Sequence, residues 1–129
     1  MKSVSISIDV PDIEAGVEFF TEGLGFTRPR KGPHNSVLMR AGELEICLLQ
    51  KISGSVAVPE TNISRNYGRH WTPIHLDIMV DDLNNAIQQA VGAGARQEGE
   101  IYSDEQYSIA FCSDPFGNGF CLGEQHSSE

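Results

Sequence analysis

Residues 3 to 10, SVSISIDV, alternate strictly: Val4, Ile6, Ile8 and Val10 are apolar, and Ser3, Ser5, Ser7 and Asp9 are polar. A period of two predicts a strand with one face for a core and one polar face, which is either solvent-facing or the floor of a pocket. The period then changes. Ile13, Val17, Phe20 and Leu24 are spaced by four, three and four residues, one stripe of a helix. Gly23 and Gly25 close it. FTRPR, NSVLMRA and ELEICLLQK read as three strands, with Gly32-Pro33 and Ala41-Gly42 as turns. The first part of the chain is therefore βαβββ.

Residues 52 to 70 are rich in Ser, Gly, Asn and Pro and read as a connecting loop. The first pattern then returns. HLDIMVDDL (75 to 83) lies over SISIDVPDI (5 to 13) at a constant offset of 70, with Ile78 over Ile8, Val80 over Val10 and Asp82 over Asp12. A second helix presents Leu83, Ala86, Ile87, Ala90 and Val91 and ends at GAGA; the strands ARQEGEIY, YSIAFCS and GFCLGEQ follow. The return of the whole element order reads as a duplication. The expected organisation is one domain over 1–129: a first βαβββ module at 1–51, a connecting loop at 52–71 and a second module at 72–129. Each module buries one sheet face under its helix. Two such sheets curving toward each other would leave a cup lined by the polar faces, which gives an α+β fold: two tandem βαβββ modules forming an open, cup-shaped mixed sheet.

Charge narrows the partners. Nine Lys and Arg against eighteen Asp and Glu give a net charge of −9. That argues against nucleic acid, which needs clustered cations, and against anionic membrane surfaces. It is compatible with a cationic ligand, and equally with plain solubility. Met1-Lys2 runs straight into the first strand, so no leader peptide is expected, and no apolar run approaches the ~20 residues of a membrane span. Three cysteines, Cys47, Cys112 and Cys121, are an odd set that reads as reduced thiols in a cytoplasmic protein.

Three stretches carry a resemblance: FFTEGLGF (19 to 26), HLDIMVDDL with GAGA (92 to 95), and SDPFGNGFCLGE (113 to 124). With them the chain resembles, over nearly its whole length, the vicinal oxygen chelate superfamily of glyoxalases, extradiol dioxygenases, fosfomycin-resistance enzymes and bleomycin-binding proteins. The resemblance implies paired βαβββ modules, commonly a homodimer, and in many members a divalent metal. It carries the metal-ligand positions onto Ser5, Glu45, His75 and Cys121. Only Glu45 and His75 keep the residue usual in the family. A serine hydroxyl competes weakly with water for a divalent ion. The reading adopted is therefore no standard metal and no other cofactor, with a zinc site of Glu45, His75 and Cys121 as the chemically allowed alternative, since zinc accepts N, O and S donors.

The residues themselves add candidate roles. Asp77 follows His75 at i+2 and shares its sheet face; a carboxylate beside an imidazole suits a catalytic base, and also a hydrogen-bonded pair with no chemistry. Glu45 shares a face with Glu43 and Cys47 and could hold a cation or a proton, or face solvent. Cys47 and Cys121 read as inert thiols facing the ligand. Trp71, after Arg69 and His70, is placed to stack on a flat ligand or to cap a core or a subunit interface. Asp114-Pro115-Phe116-Gly117-Asn118-Gly119 is a turn that needs no chemistry. The function expected is a glyoxalase/bleomycin-resistance-like protein binding a small organic molecule, with Ser5, Ser7, Glu45, Cys47, Trp71 and Cys121 as contacts. The alternative is a metal-independent or zinc-dependent lyase, isomerase or dioxygenase-like enzyme of the same superfamily in which His75 is base or ligand and Asp77 orients it.

Overall fold

A computed structural model of the chain describes residues 1 to 127. The chain divides into two units, the first from Met1 to Tyr67 and the second from Gly68 onward. In the first, β1 (Ser5–Val10) leads to α1 (Ile13–Glu18), which widens into a π-helical turn (Phe19–Gly23); β2 (Thr27–Lys31), β3 (Val37–Ala41) and β4 (Leu44–Gln50) follow. The sheet order is β1-β4-β3-β2, with β1 parallel to β4 and the other pairs antiparallel. Asp12, extended at φ −141, starts α1 and accepts from the Glu14 amide. Val10, Met39, Ile46 and Leu48 have no exposed surface and form the sheet side of the core. Each such side chain contributes roughly 2 kcal/mol by leaving water.

The helical stripe read from the sequence is incomplete. Phe19 lies off it, yet Phe19 and Phe20 are both buried, meeting edge to face at 5.2 Å and 81°, and Phe20 stacks on Phe26 at 5.5 Å. A π turn inserts one residue into the helical cycle, and that brings two adjacent rings inward. Gly25 then takes φ +75, where a side chain would be strained.

The expected connector is shared out. Arg65 Nε donates to Asp9 Oδ2 at 2.7 Å, its Nη1 donates to Ser55 Oγ and the Val56 carbonyl, and Tyr67 Oη donates to the Lys51 carbonyl at 2.7 Å. These bonds tie residues up to Tyr67 to the first unit. Three residues later, the His70 amide donates to the Gly117 carbonyl of the second unit at 2.9 Å.

The second unit repeats the plan with β5 (Leu76–Met79), α2 (Leu83–Gly92), β6 (Arg96–Gln97), β7 (Tyr102–Ser103), β8 (Tyr107–Ser113) and β9 (Gly119–Gln125). β5 runs parallel to β9, β9 antiparallel to β8, and both short strands pair with β8. Leu83, Ile87 and Ala90 of α2 are buried, as are Ala110, Cys112, Phe120 and Leu122 of the sheet. Val91, expected on the buried stripe, is 45% exposed at the helix end. ARQEGEIY, expected as one strand, is two short ones: the Glu98 amide still donates to the Phe111 carbonyl at 2.7 Å, and Gly99 then breaks the strand at φ +87. Both sheets are open; the first unit carries the βαβββ order and the second the same order with its third element split into β6 and β7, mixed α+β as expected. Among the described residues no helix is long and apolar enough to cross a membrane.

Candidate functional site

Each sheet has one face turned away from its helix, and the two faces differ in chemistry. In the first unit, Ser5 pairs with Glu45, Ser7 with Cys47 and Asp9 with Leu49 across β1 and β4, while Arg40 and Leu38 of β3 stand opposite Glu45 and Cys47. Ser5, Ser7, Glu45 and Cys47 thus share one face, as the alternation requires. An arginine engages Glu45: Arg30 Nη2 lies 3.2 Å from Glu45 Oε2. The carboxylate that a cation or metal would use is already in an ion pair, though a half-exposed one of modest strength.

In the second unit, His75 precedes β5 and its Nε2 lies 3.2 Å from Asp77 Oδ1. Asp77 pairs with Cys121 on the parallel neighbour β9. His75, Asp77 and Cys121 each bring one donor atom within 4.8 Å of the others. Cys121 is buried, and that burial, followed by the Asp77 charge and the bond to its carboxylate, pushes the thiol up to about 11. At neutral pH it is therefore a protonated thiol and no nucleophile.

Trp71 lies against this group, its ring 4.9 Å from the His75 ring at 38°, with the Arg69 guanidinium 5.9 Å over the indole. Arg69 is held in turn by Glu98, through Nε to Oε2 at 2.6 Å and Nη2 to Oε1 at 2.7 Å. The hydrogen bond from Arg69 keeps Glu98 below its ordinary carboxylate range. On β9, Cys121 is flanked by Gly119 and Gly123. A Cβ on Gly119 would come within 2.9 Å of the Trp71 ring, and one on Gly123 within 2.9 Å of Met79 Sδ. Met79 of β5 and Phe111 of β8, the partners of Gly123 and Cys121, complete the face. Trp71, Met79 and Phe111 remain 56%, 55% and 45% exposed.

The site residues expected from sequence therefore fall into two sets, Ser5, Ser7, Glu45 and Cys47 on the first face, and His75, Asp77, Trp71 and Cys121 on the second. The repeat's own register adds a distinction. Ser7 and Asp77 correspond at offset 70; Ser7 pairs with Cys47 and Asp77 with Cys121, so Cys47 is the counterpart of Cys121. Glu45, paired with Ser5, corresponds instead to Gly119. Sequence reasoning missed Arg30, Gly119, Met79 and Phe111. Only the alternation Gly119-Cys121-Gly123 could have been noticed, as a strand face without side chains around one thiol.

The divalent metal that the resemblance implies needs donors matched to its chemistry. An imidazole nitrogen, a carboxylate oxygen and a sulfur converge in the second unit. That set fits zinc, whose bonds of about 2.0–2.3 Å need only small closure of these side chains. It does not fit a hard, octahedral cation, which wants oxygen. His75, Asp77 and Cys121 would hold the zinc, which would act as a Lewis acid with one position open. Without it, His75 still offers two ring nitrogens: Nε2, 3.2 Å from Asp77 Oδ1, and Nδ1, which takes no part in that contact. A shallow hollow of about 580 Å³ lies at the opposite end of β5 and β9, between Val80-Asp81 and Gln125-His126. Of the face described above it includes Met79 but not His75, Asp77 or Cys121, and the clustered chemistry rather than the hollow marks the site.

A family described as a glyoxalase-like domain matches residues 5–123. No curated protein matches the chain in sequence. Among solved structures, the fosfomycin resistance protein FosX from Listeria monocytogenes superposes with a TM-score of 0.70 at 12% identity, covering 96% of this chain and 93% of its own. FosX from Mesorhizobium loti gives 0.68 at 12% identity, covering 96% and 92%. A glyoxalase/bleomycin resistance protein/dioxygenase family enzyme from Burkholderia phytofirmans gives 0.66 at 18% identity, covering 93% and 95%. At these identities the likeness is one of fold.

Proposed function

The chain belongs to the glyoxalase-like domain family, and from that premise we propose that it binds a small organic molecule on the open face of the second sheet. A flat apolar part would lie among Trp71, Met79 and Phe111, and a cationic or hydrogen-bond-donating group would meet Asp77. The observation that carries this reading is the exposure of three large apolar side chains around a polar His75–Asp77–Cys121 group. Exposed apolar patches rimmed by polar groups are the usual mark of a binding surface. The net charge of −9 favours a cationic ligand over an anionic one. Ser5, Ser7, Glu45 and Cys47 are the contacts proposed on the first unit's own open face. A reduced, cytoplasmic homodimer is the setting proposed, supported by three free cysteines and by the family. Calorimetry and emission of Trp71, the sole tryptophan, test the reading against bleomycin-type glycopeptides and a panel of cationic aromatic compounds. Saturable heat that is lost in Trp71→Ala is expected. Absence of both heat and emission change across the panel would overturn it.

A second reading is favoured by one distance. The 3.2 Å contact of His75 Nε2 with Asp77 leaves Nδ1 as a base for proton abstraction in a lyase or isomerase. His75→Ala would then abolish turnover of a substrate found by the same screen, and turnover that survived the change would exclude this mechanism.

A further inference from the structure

Cys121 presents a puzzle that leads beyond the binding proposal. It sits on the open face of the sheet, beside Met79 and Phe111, which are about half exposed, yet it is only 4% exposed itself. Its strand neighbours on that face, Gly119 and Gly123, have no side chains to cover it. What stands above those two glycines comes from outside the strand: the Trp71 ring and Arg69 Nη2 over Gly119, and the Met79 thioether over Gly123. The absent side chain at 119 is what leaves the indole its place. Indole edge atoms Cε3 and Cζ3 and the guanidinium Nη2 would each be 2.9 Å from a Cβ there, closer than atoms can stand. The counterpart of Gly119 in the first unit is Glu45, so the two units fill the same register position in opposite ways, one with a charged side chain and the other with a ring laid across bare backbone.

We propose that Trp71 is the positioning residue of this site, seated on Gly119 by the Arg69–Glu98 ion pair so that its indole holds the His75 ring toward Asp77 and closes one side of the approach to Cys121. The ion pair is bidentate, which fixes the guanidinium plane as a single contact would not. A guanidinium so fixed stacks on the indole by cation–π attraction. The indole's other neighbour is the imidazole at 4.9 Å. A solitary histidine near a strand end would sample several rotamers, and the ring contact removes that freedom. Order thus passes from Glu98 through Arg69 and Trp71 to His75. Asp77 is open to solvent, whereas a ligand reaching the Cys121 thiol has to pass the Trp71 and Met79 side chains that stand over its two glycine neighbours, which selects for a thin, flat group.

This deepens the binding proposal and rests on it for what enters the slot; the seat itself is tested on the free protein with no ligand, so the two can fail separately. Three variants are compared with the native chain: Gly119→Ala, Glu98→Gln and Trp71→Phe. The first readout is the set of His75 ring-proton resonances, which a stacked indole displaces. The second is the iodoacetamide alkylation rate at Cys121, followed on its peptide, with half-buried Cys47 as internal reference. Gly119→Ala should move the His75 resonances toward ordinary positions, shift Trp71 emission to longer wavelength and raise Cys121 alkylation several-fold relative to Cys47. Glu98→Gln, an isosteric change at an ion pair about a third exposed, should give a smaller shift in the same direction. Trp71→Phe should keep part of the ring-current displacement, as a smaller ring in the same seat would. Unchanged resonances and alkylation in both Gly119→Ala and Glu98→Gln would overturn the proposal. Equal rises at Cys47 and Cys121 would also overturn it, since they would signal general loosening instead of loss of the seat.

Discussion

Cys121 stands level with Asp77 across the parallel β5–β9 pair, and the carboxylate that raises its thiol also lies 3.2 Å from His75 Nε2. One aspartate therefore organises both the imidazole and the thiol. Because it is the more exposed member, it can be altered without opening the core, which makes the coupling measurable.

The first prediction concerns Asp77→Asn. Burial is the largest reason the Cys121 thiol stands at about 11, and the Asp77 charge is the next. Removing the charge should bring the thiol down while leaving it above its ordinary value of 9.0. The pH dependence of Cys121 alkylation reads this directly. A midpoint that does not move would show that Asp77 does not act on the thiol.

Alkaline stability follows from the same physics. Cys112 and Cys121 are both pushed up to about 11, the first chiefly by burial and then by Cys121 and Glu98. In the unfolded chain these thiols ionise near 9, before the folded chain releases its protons. The unfolded state thus binds fewer protons between 9 and 11, and folding stability must fall as pH rises through that window. Denaturant midpoints taken from pH 8 to 11 should decline in the native protein. The slope should flatten when Cys112 and Cys121 are both replaced by Ala. An equally steep decline in the double variant would place the effect elsewhere.

Much of the fold was legible because its signals are local. The alternation of Ser5 to Val10 and its return at His75 to Val80 need only the pleat. The turn at Asp114 is written in residues that suit turns and no other element. What stayed hidden depends on partners distant in sequence. Nothing in ELEICLL announces that Arg30 engages Glu45, fifteen residues away. The π turn that buries Phe19 leaves no mark in a stripe read at ordinary helical period. The site was half legible: the face carrying His75, Asp77 and Cys121 follows from strand alternation, but the bare positions 119 and 123 acquire meaning only once Trp71 and Met79 are seen above them.

Asp114 carries a structural prediction. It is buried, its Oδ1 accepts from the Phe116 and Asn118 amides at 2.9 Å, and its Oδ2 accepts from the Asn118 side chain at 2.9 Å. Burial raises its pKa above the usual carboxylate value and these bonds lower it, with burial the stronger. Asp114→Ala strands buried donors, and should cost about 2–3 kcal/mol in chemical unfolding. Asp114→Asn keeps an acceptor for the amides and should cost less. Equal losses in the two variants would mean that the bonds to Oδ1 are not what stabilises the turn that leads into β9.

The last prediction separates two kinds of metal chemistry. An N, O and S donor set in one unit should select zinc over magnesium, since a thiol donor gives a hard cation nothing. Zinc titrated into the free protein is expected to bind at one equivalent, release protons and change Trp71 emission, because sulfur coordinates as thiolate and His75 lies against the indole. Magnesium at the same concentration should do neither. Asp77→Asn should weaken zinc at least tenfold, about 1.4 kcal/mol, through loss of one charged donor. Glu45→Gln, by contrast, alters a carboxylate already paired with Arg30 and should leave the affinity within a factor of two or so. Zinc binding lost in Glu45→Gln but intact in Asp77→Asn would assign the ion to the positions that the superfamily resemblance carries over, and would remove Asp77 from the donor set.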